Sequence, residues 1–320
     1  MDKFLEEILN TVAPSGYEYQ MQNVVKEYTK DFALVSIDHA HNVYSVINEA
    51  NDFKVLMCAH SDEIGMVITK INSNGTCSLR KVGGIKLPLY VGALVTVLHD
   101  GALVNGVIGI KEGVFDGKVT ENSLFLDLGV DTFEEANKLV SIGDELVVNS
   151  KTVELNDRIV SRALDDKIGC YVITKALEEL SKRELNSQVC SCTTTREEVG
   201  AQGAYVASVN YKPNIAIAVD VTYTSDVTGN PSDYGYVCLG KGPAICNSSI
   251  IHKKLNSLLT NVATKFDIPV QYEVMIRGTG TDADKIHFTN EGVPVCLVSI
   301  PLRYMHSSVE MVDKNDLIML

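Results

Sequence analysis

Cys192-Thr-Thr-Thr-Arg-Glu-Glu-Val-Gly200 places two adjacent carboxylates directly after the end of a buried strand. Residues 188–195 predict that strand, and the small residues at 201–204 are suited to open a helix. Because neighbouring residues that leave a strand point in different directions, Glu197 and Glu198 can serve different partners, one a metal and the other a proton. A charged turn after a buried strand is the alternative, and this stretch alone does not decide between the two.

The order of predicted elements indicates an α/β domain. Apolar residues at helical spacing predict helices at 2–12 and 18–30, and Ser15 or Gly16 is expected to cap the second. Continuous apolar runs such as 54–59 are typical of central strands buried on both faces. Other predicted strands are 34–38, 43–47, 214–221, 270–276 and 293–300, and other predicted helices end near Leu180, Phe266 and Asn290.

The segment from residue 66 to residue 160 has a different sequence pattern, which predicts short strands instead of alternating strands and helices. Short β-type runs alternate there with turns rich in Gly, Asn and Asp, with one helical interruption predicted at 132–139. These runs are 66–71, 76–82, 93–98, 104–110, 123–127 and 145–148. We therefore expect a small all-β unit, a barrel, inserted into the α/β domain.

Composition excludes several classes of protein. The formal net charge of −13, without a basic block to neutralise phosphates, argues against nucleic-acid binding. The amino terminus lacks the basic-then-apolar order of a signal peptide, and no run of about 18 apolar residues could span a membrane. The eight cysteines lie mostly in apolar, strand-like runs and form no Cys-x-x-Cys pair, which predicts reduced core residues of a cytoplasmic protein.

Acids and histidines follow the predicted strands at the points where those strands end. Each has an ordinary explanation alone: a solvated loop histidine, a charged turn or a helix cap. Together they lie where an α/β sheet binds ligands, at the carboxyl edge, and two histidines with several carboxylates suit zinc, cobalt or manganese. The candidates are His60 and Asp62, the helix-opening pair Asp165–Asp166, Glu197 and Glu198, Asp220, and His306. Five ligands with one shared aspartate are what a two-metal site needs.

The chain is similar to the tetrahedral (TET) aminopeptidases, also called the FrvX, cellulase M or glutamyl aminopeptidase-like family of two-metal peptidases. Five motifs, spaced in order along nearly the whole chain, carry the resemblance: Ala59-His-Ser-Asp-Glu-Ile-Gly65, Arg162-Ala-Leu-Asp-Asp-Lys-Ile-Gly169, Thr195-Arg-Glu-Glu-Val-Gly-Ala-Gln-Gly203, Val219-Asp220 and Met305-His306-Ser307. The resemblance implies an α/β fold: a mixed-sheet, three-layer di-zinc peptidase domain at 1–67 and 159–320. It also implies a small β-barrel domain, inserted at 68–158, that makes dimer contacts.

The resemblance also implies a role for each site residue. Asp165 would bridge two divalent metals, with His60 and Asp220 completing one metal and Glu198 and His306 the other. Glu197 would be the general acid/base, and Asp62 would orient and polarise the site near His60. The Asp165–Asp166 peptide bond is expected to be cis. Members of the family form dimers that assemble into a hollow tetrahedral dodecamer, and they usually continue into a longer final helix than a chain that stops at Leu320 allows.

These expectations define a metal-dependent aminopeptidase that removes the N-terminal residue of short peptides, with a bridging water activated by a glutamate. An endoglucanase-type glycosidase is the alternative from another reaction class, because paired carboxylates also hydrolyse sugars, but it leaves the histidines without a task. A non-catalytic scaffold, and a dipeptidase or deacylase with the same metals, are further alternatives. Arg277 and Tyr223 are candidate substrate contacts; for Arg277, a structural ion pair with Asp282 or Asp284 is the competing interpretation.

Overall fold

The computed structural model describes residues 1–111, 117–227 and 235–320. Its α-helices are α1 Lys3–Asn10, α2 Tyr19–Thr29, α3 Phe133–Ala136, α4 Leu164–Ser181, α5 Gln202–Tyr211, α6 Lys253–Lys265, α7 Ala283–Ile286 and α8 Lys314–Met319. Short 3₁₀ helices lie at Leu87–Tyr90 and Glu121–Ser123. Within the described residues, no helix is both long and apolar enough to cross a membrane.

The described strands form three groups by their hydrogen-bonded pairing. They are β1 Leu34–Ile37, β2 Val43–Ile47, β3 Lys54–His60, β4 Gly65–Ile71, β5 Cys77–Val82, β6 Leu94–His99, β7 Ala102–Ile110, β8 Leu124–Asp127, β9 Glu145–Val148, β10 Val153–Leu155, β11 Arg158–Ser161, β12 Gln188–Thr194, β13 Ile215–Tyr223, β14 Ala244–Ser248, β15 Gln271–Met275, β16 Val295–Leu302 and β17 Glu310–Asp313. These strands build an eight-stranded sheet, a closed barrel and a small three-stranded sheet.

The central sheet is mixed and has the strand order β1-β2-β12-β3-β13-β16-β14-β15. Its middle strands β12, β3, β13 and β16 run parallel, whereas β1 is antiparallel to β2, β2 to β12, and β14 to β16. The middle strands are almost entirely buried, as their continuous apolar sequences predict. Their carboxyl ends therefore meet at one edge of the sheet.

Alternation along the middle strands sends side chains into two separate cores. Met57 and Ala59 of β3 pack with apolar residues of α1, α2 and α4 on one face. Leu56 and Cys58 pack with α5 and α7 on the other. The sheet is thus the centre of three layers, which confirms the predicted fold class. All eight cysteines are unpaired, and all but Cys238 are buried.

The inserted β-unit is a closed six-stranded barrel in the order β4-β5-β8-β7-β6-β9, built from antiparallel pairs. It has its own apolar core, which includes Ile68, Val97 and Leu126. The barrel strands lie between Gly65 and Val148, so the first begins a few residues before the predicted boundary at 68. The use of this unit in dimer contacts stays a prediction.

The turn before α2 differs from its prediction. Glu18 occupies the N-cap position, and Ser15, expected to cap the helix, instead donates its hydroxyl to Asp62 Oδ2 at 2.7 Å. Glu18 Oε1 accepts the N–H of Gly16 and, at 3.0 Å, that of Arg196. The side chains of this turn therefore bind Asp62 and the backbone of Arg196, and they do not cap α2.

Candidate active site

Parallel pairing brings the predicted site residues to one edge of the central sheet. His60 ends β3 and lies opposite Thr194, the last residue of β12. Asp220 lies in β13, opposite Ser299 of β16. Glu197 and Glu198 follow β12, and His306 follows β16, while α4 starts beneath the same edge and presents Asp165. The residues are far apart in sequence, and the strand order makes them neighbours.

Asp165 lies between the two histidines. Its Oδ1 is 3.0 Å from His60 Nε2, and its Oδ2 is 3.2 Å from His306 Nε2. The two oxygens of one carboxylate thus face two different imidazoles. This is the arrangement that a carboxylate bridging two metal ions requires.

Both histidines are oriented by backbone carbonyl groups. His60 Nδ1 is 3.1 Å from the carbonyl oxygen of Asp62, and His306 Nδ1 is 3.3 Å from that of Gly84. A carbonyl can only accept, so each Nδ1 carries a proton when neutral and each Nε2 keeps a free lone pair. Metal-binding histidines are held in this way in proteins.

The remaining carboxylates surround these two imidazoles. Asp220 Oδ1 lies 3.9 Å and Glu197 Oε2 4.0 Å from His60 Nε2, and Glu198 Oε1 lies 3.4 Å from His306 Nε2. Candidate ligand atoms form two groups, His60 with Asp165 and Glu198, and His60 with Asp166 and Asp220. Neither Glu197 nor His306 belongs to these groups.

Asp166 competes with Asp165 for the position of metal ligand, and hydrogen bonding separates them. The oxygens of Asp166 accept the backbone N–H groups of His60 and Gly169, at 3.2 and 3.1 Å. Asp165 and Asp166 have non-helical backbone angles, so the bond from Gly169 caps the regular part of α4 that follows them. The oxygens of Asp165 face imidazoles instead, so we favour Asp165 as the shared ligand. The peptide bond between the two aspartates is cis.

Three buried carboxylates hold the backbone of the candidate ligands. Asp62 accepts the N–H groups of Glu197 and Glu198, at 2.9 and 3.2 Å. Glu310 accepts those of Asp165 and His306, both at 3.0 Å. Asp166 holds that of His60. Asp62 also lies 3.4 Å from His60 Nδ1, beside the carbonyl that orients the ring.

Burial and mutual repulsion shape the charge of the site. Burial raises the pKa of Asp220 well above its usual range, and repulsion from Asp166 adds to this. Burial likewise raises the pKa of Glu197, although His60 works against the change. Burial acts to raise the pKa of Asp165, but hydrogen bonds from His306 and His60 outweigh it and lower the pKa. The raised pKa values of Asp220 and Glu197 show that the two histidines do not offset the charge of all these carboxylates in their ionised form.

The donor set fits divalent cations of the zinc type. Imidazole nitrogens and carboxylate oxygens suit zinc, cobalt and manganese. A buried group of mutually repelling carboxylates is also the environment in which a cation restores the charge balance. Asp165, His60 and Asp220 could hold one ion, and Asp165, Glu198 and His306 a second.

A barrel loop closes one side of the site. A side chain at Gly83 would approach Glu198, and one at Gly84 would meet the His306 ring. Lys86 Nζ lies 3.3 Å from the carbonyl oxygen of Met305 and 5.3 Å from the ring centroid of Tyr223. Tyr223 is 44% exposed at the end of β13, so this candidate substrate contact lies at the mouth of the site.

Arg277 lies elsewhere. Because β14 is antiparallel to β16 and β15 is parallel to β14, β15 ends at the opposite edge of the sheet from the candidate ligands. Arg277 follows β15, is exposed, and makes no ion pair within the part of the chain that the structure describes. Asp284 instead accepts hydrogen bonds from Thr279 and Gly280. The role of Arg277 in substrate binding stays a prediction.

Sequence reasoning missed Glu310 and Asp282. Glu310 interrupts the apolar run Val309-Glu-Met-Val312, a sign of a buried acid that needs partners. Asp282 is buried behind the site and accepts the hydroxyl of Thr194 at 2.5 Å. Burial raises the pKa of Asp282 to about 6. Neither role could be read from the sequence, because Asp165 lies 145 residues from Glu310, and Thr194 lies 88 residues from Asp282.

Comparisons with known proteins agree with this geometry. Residues 41–320 match the sequence profile of the family described as M42 glutamyl aminopeptidase. Lysyl aminopeptidase from Pyrococcus furiosus is 31% identical, over 98% of this chain and 92% of that protein. Aminopeptidase APDkam598 from Desulfurococcus kamchatkensis has 35% identity and a TM-score of 0.93, covering 99% of this chain and 91% of that chain. The TET1 peptidase of Pyrococcus horikoshii has 31% identity and a TM-score of 0.89, covering 99% and 95%. The chain therefore belongs to the M42 family of aminopeptidases, which are metallopeptidases.

Proposed function

We propose that this chain is an aminopeptidase with two divalent metal ions at the edge of its central sheet, and that Glu197 is its general acid/base. The observation that carries the proposal is the position of Asp165, whose two oxygens face Nε2 of His60 and Nε2 of His306. His60 and Asp220 would complete the site of one ion, and Glu198 and His306 that of the other. Zinc, cobalt and manganese all suit these donors.

The chemistry follows from what each residue can do. Divalent ions at such a site supply Lewis acidity and lower the pKa of water. Glu197 Oε2 lies 4.0 Å from His60 Nε2, and the proposed ligand sets leave its carboxylate uncoordinated, so it would accept a proton from the attacking water. It then returns that proton to the leaving amine of the cleaved peptide. Asp62 holds the backbone N–H groups of Glu197 and Glu198 and so positions both carboxylates.

A glycosidase is the weaker alternative. Paired carboxylates hydrolyse sugars without a metal, and such an enzyme has no use for two imidazoles arranged around a third carboxylate. Activity that survives complete chelation would favour this alternative. A test of substrates distinguishes an aminopeptidase from a dipeptidase or deacylase with the same ions. Only an aminopeptidase cleaves peptides of varied length and requires their amino terminus to be free.

The substrates we propose are short peptides, with Tyr223 as a contact at the mouth of the site. The family is described as glutamyl aminopeptidase, whereas the Pyrococcus furiosus relative is named a lysyl aminopeptidase. Family membership therefore leaves the preferred N-terminal residue open. The TET1 peptidase can assemble into a tetrahedron or an octahedral shell. We propose by analogy that this chain forms dimers through its barrel, and a dodecamer from those dimers.

Glu197→Gln tests the proposal, because the amide keeps the shape of the side chain but cannot take up the proton. Loss of a general base typically lowers the rate by 10²–10⁴-fold. We expect kcat to fall within that range on aminoacyl chromogenic substrates, assayed after zinc, cobalt or manganese is returned to metal-free protein. The variant should bind as much metal as the wild type, measured by elemental analysis.

Glu198→Gln is the matched comparison. The adjacent glutamate is a proposed ligand, so its amide should lower metal content as well as activity. Wild-type turnover by Glu197→Gln would refute the assignment of the base. Metal loss from both variants alike would show instead that the two glutamates share one role.

A further inference from the structure

Glu310 joins two candidate ligands that come from distant parts of the chain. Its Oε2 accepts the backbone N–H of Asp165 at 3.0 Å, and its Oε1 accepts that of His306 at 3.0 Å. The side chain is only 3% exposed. Each oxygen is therefore committed to one ligand residue, and water cannot readily replace either bond.

The backbone at His306 needs such support. Its φ is 61°, in the left-handed region that non-glycine residues seldom adopt, and Tyr304 two residues earlier has φ 63°. A residue held there costs free energy and persists only where its surroundings fix it. The hydrogen bond from the His306 N–H to Glu310 is such a constraint.

Glu310 is itself firmly placed. It begins β17 and pairs with Ser161 of β11, a few residues before Asp165 in the chain. The following residue, Met311, forms two backbone hydrogen bonds with Arg303, just before the loop that carries His306. The carboxylate thus lies on a strand that connects the segment before α4 with the segment before the His306 loop.

We propose that Glu310 is a positioning residue that sets the affinity of the site for the metal ion shared by Asp165 and His306. The inference rests on the proposed two-metal function. Glu310 holds the backbone of two of that ion's three proposed ligands, Asp165 and His306, but of only one ligand, Asp165, of the ion at His60. Its removal should therefore weaken one ion more than the other.

The carboxylate form matters because it offers an acceptor to each of two N–H donors. The amide of glutamine has one acceptor oxygen, and its NH₂ group would face the second N–H. Glu310→Gln is thus expected to free either Asp165 or His306 while it preserves the size of the side chain.

The experiment measures zinc retained by the full-length protein across a series of buffered free zinc concentrations. Wild-type protein should retain two ions per chain. Glu310→Gln should release one ion at a free zinc concentration 10–100-fold higher than the wild type does, the usual effect of losing a residue that supports metal ligands. Its other ion should be released within about threefold of the wild-type concentration.

Asp316→Asn is the matched control. Asp316 is fully buried in α8 and likewise accepts two backbone N–H groups, those of Gly240 and Gly242, at 2.7 and 2.8 Å. It touches none of the proposed ligands in these bonds. This variant should retain both ions as the wild type does, even if it lowers the melting temperature.

Two readouts keep the outcomes apart. If Glu310→Gln does not fold, Glu310→Asp keeps the charge but is too short to reach both N–H groups, and it should show the same selective release. In metal-free protein, either variant should speed hydrogen exchange at the Asp165 and His306 amides.

If the variants retained both ions as the wild type does, the inference about Glu310 would be wrong, but the two-metal function would stand. A wild-type chain that binds fewer than two ions would overturn the two-metal function, whatever the exchange rates show.

Discussion

Glu63 forms the centre of a buried ion-pair cluster behind the site. Its carboxylate pairs with Arg162 and, at 2.8 Å, with Lys167, and it accepts the backbone N–H of Ala13. Lys167 is fully buried, and Arg162 and Glu63 nearly so. The two cations flank Asp165 in sequence, and Glu63 follows Asp62. The cluster therefore ties together the two segments that carry the candidate ligands His60 and Asp165.

The cluster makes stability depend on pH. Burial acts to raise the pKa of Glu63, but Arg162 and Lys167 outweigh it and lower the pKa from 4.5 to about 2. A depressed carboxylate pKa contributes stability above the unfolded value and loses it as pH falls toward the folded value. This contribution, about 3 kcal/mol from the size of the shift, should therefore disappear between pH 4.5 and pH 2.

Glu63→Gln should lower the free energy of unfolding by about 3–5 kcal/mol near neutral pH, because it leaves two cations buried without their carboxylate. Denaturant unfolding at several pH values measures this loss. The difference from the wild type should shrink as pH falls from 4.5 to 2, since protonated Glu63 resembles glutamine. Glu154→Gln is the control, because Glu154 pairs with Lys314 at the surface, where ion pairs contribute little. A difference that stayed constant with pH would contradict the account.

At the scale of elements, the barrel loop between β5 and the 3₁₀ helix at Leu87–Tyr90 forms part of the site. The carbonyl oxygen of Gly84 accepts the Nδ1 proton of His306, so the inserted barrel orients a proposed ligand of the α/β domain. A Cβ at Gly84 would lie 2.7 Å from His306 Cε1. Glycine is required here by close approach and not by its backbone angles, since Gly84 lies outside the left-handed region.

Gly84→Ala should displace the His306 ring and lower kcat by as much as about 10²-fold, the typical effect of an error of about 1 Å in a catalytic group. Steady-state kinetics on an aminoacyl substrate measures it. Gly109→Ala is the matched control, because its Cβ would press on the Phe125 ring of β8, away from the site. That variant should lose stability and keep its kcat. Unchanged kcat in Gly84→Ala would show that the loop does not orient His306.

Long, strongly patterned elements could be predicted from the sequence, and short ones could not. Residues 54–59 and 293–300 show continuous apolar runs, and β3 and β16 lie there. The strands β10 and β17 have three and four residues, and β10 is exposed throughout, so neither alternation nor an apolar run marks it. Such strands are defined by pairing with β11, which depends on tertiary contacts.

The candidate site shows the same division. The acids and histidines that end predicted strands could be named from the sequence, because parallel strands deliver them to one edge. The residues that hold them could not, since Glu310 acts through backbone N–H groups and Gly84 through a carbonyl oxygen. These atoms are present in every residue and carry no signal in the sequence.

At the scale of the whole molecule, the candidate ligands extend from His60 to His306. They come from strands of the central sheet, from the segments that follow those strands, and from the start of α4. An unfolded chain cannot keep these groups together, so the proposed ions bind the folded state alone. Binding of that kind stabilises the fold by about 2.7 kcal/mol per site when free metal is 100-fold above Kd. Metal loading should therefore be visible in the stability of the entire chain.

Removal of metal with a chelator should lower the melting temperature by roughly 10–20 °C, since two ions contribute about 5 kcal/mol and each kcal/mol shifts the midpoint of a large domain by about 2–4 °C. Scanning calorimetry before and after chelation measures the shift, and zinc or cobalt should restore it. Glu197→Gln should show the full shift, because the proposed base is not a ligand, whereas Asp220→Asn should show a smaller one. If chelation left the melting temperature of the wild type unchanged, the ions would not be held by residues from across the fold, and the proposed centre at Asp165 would be wrong.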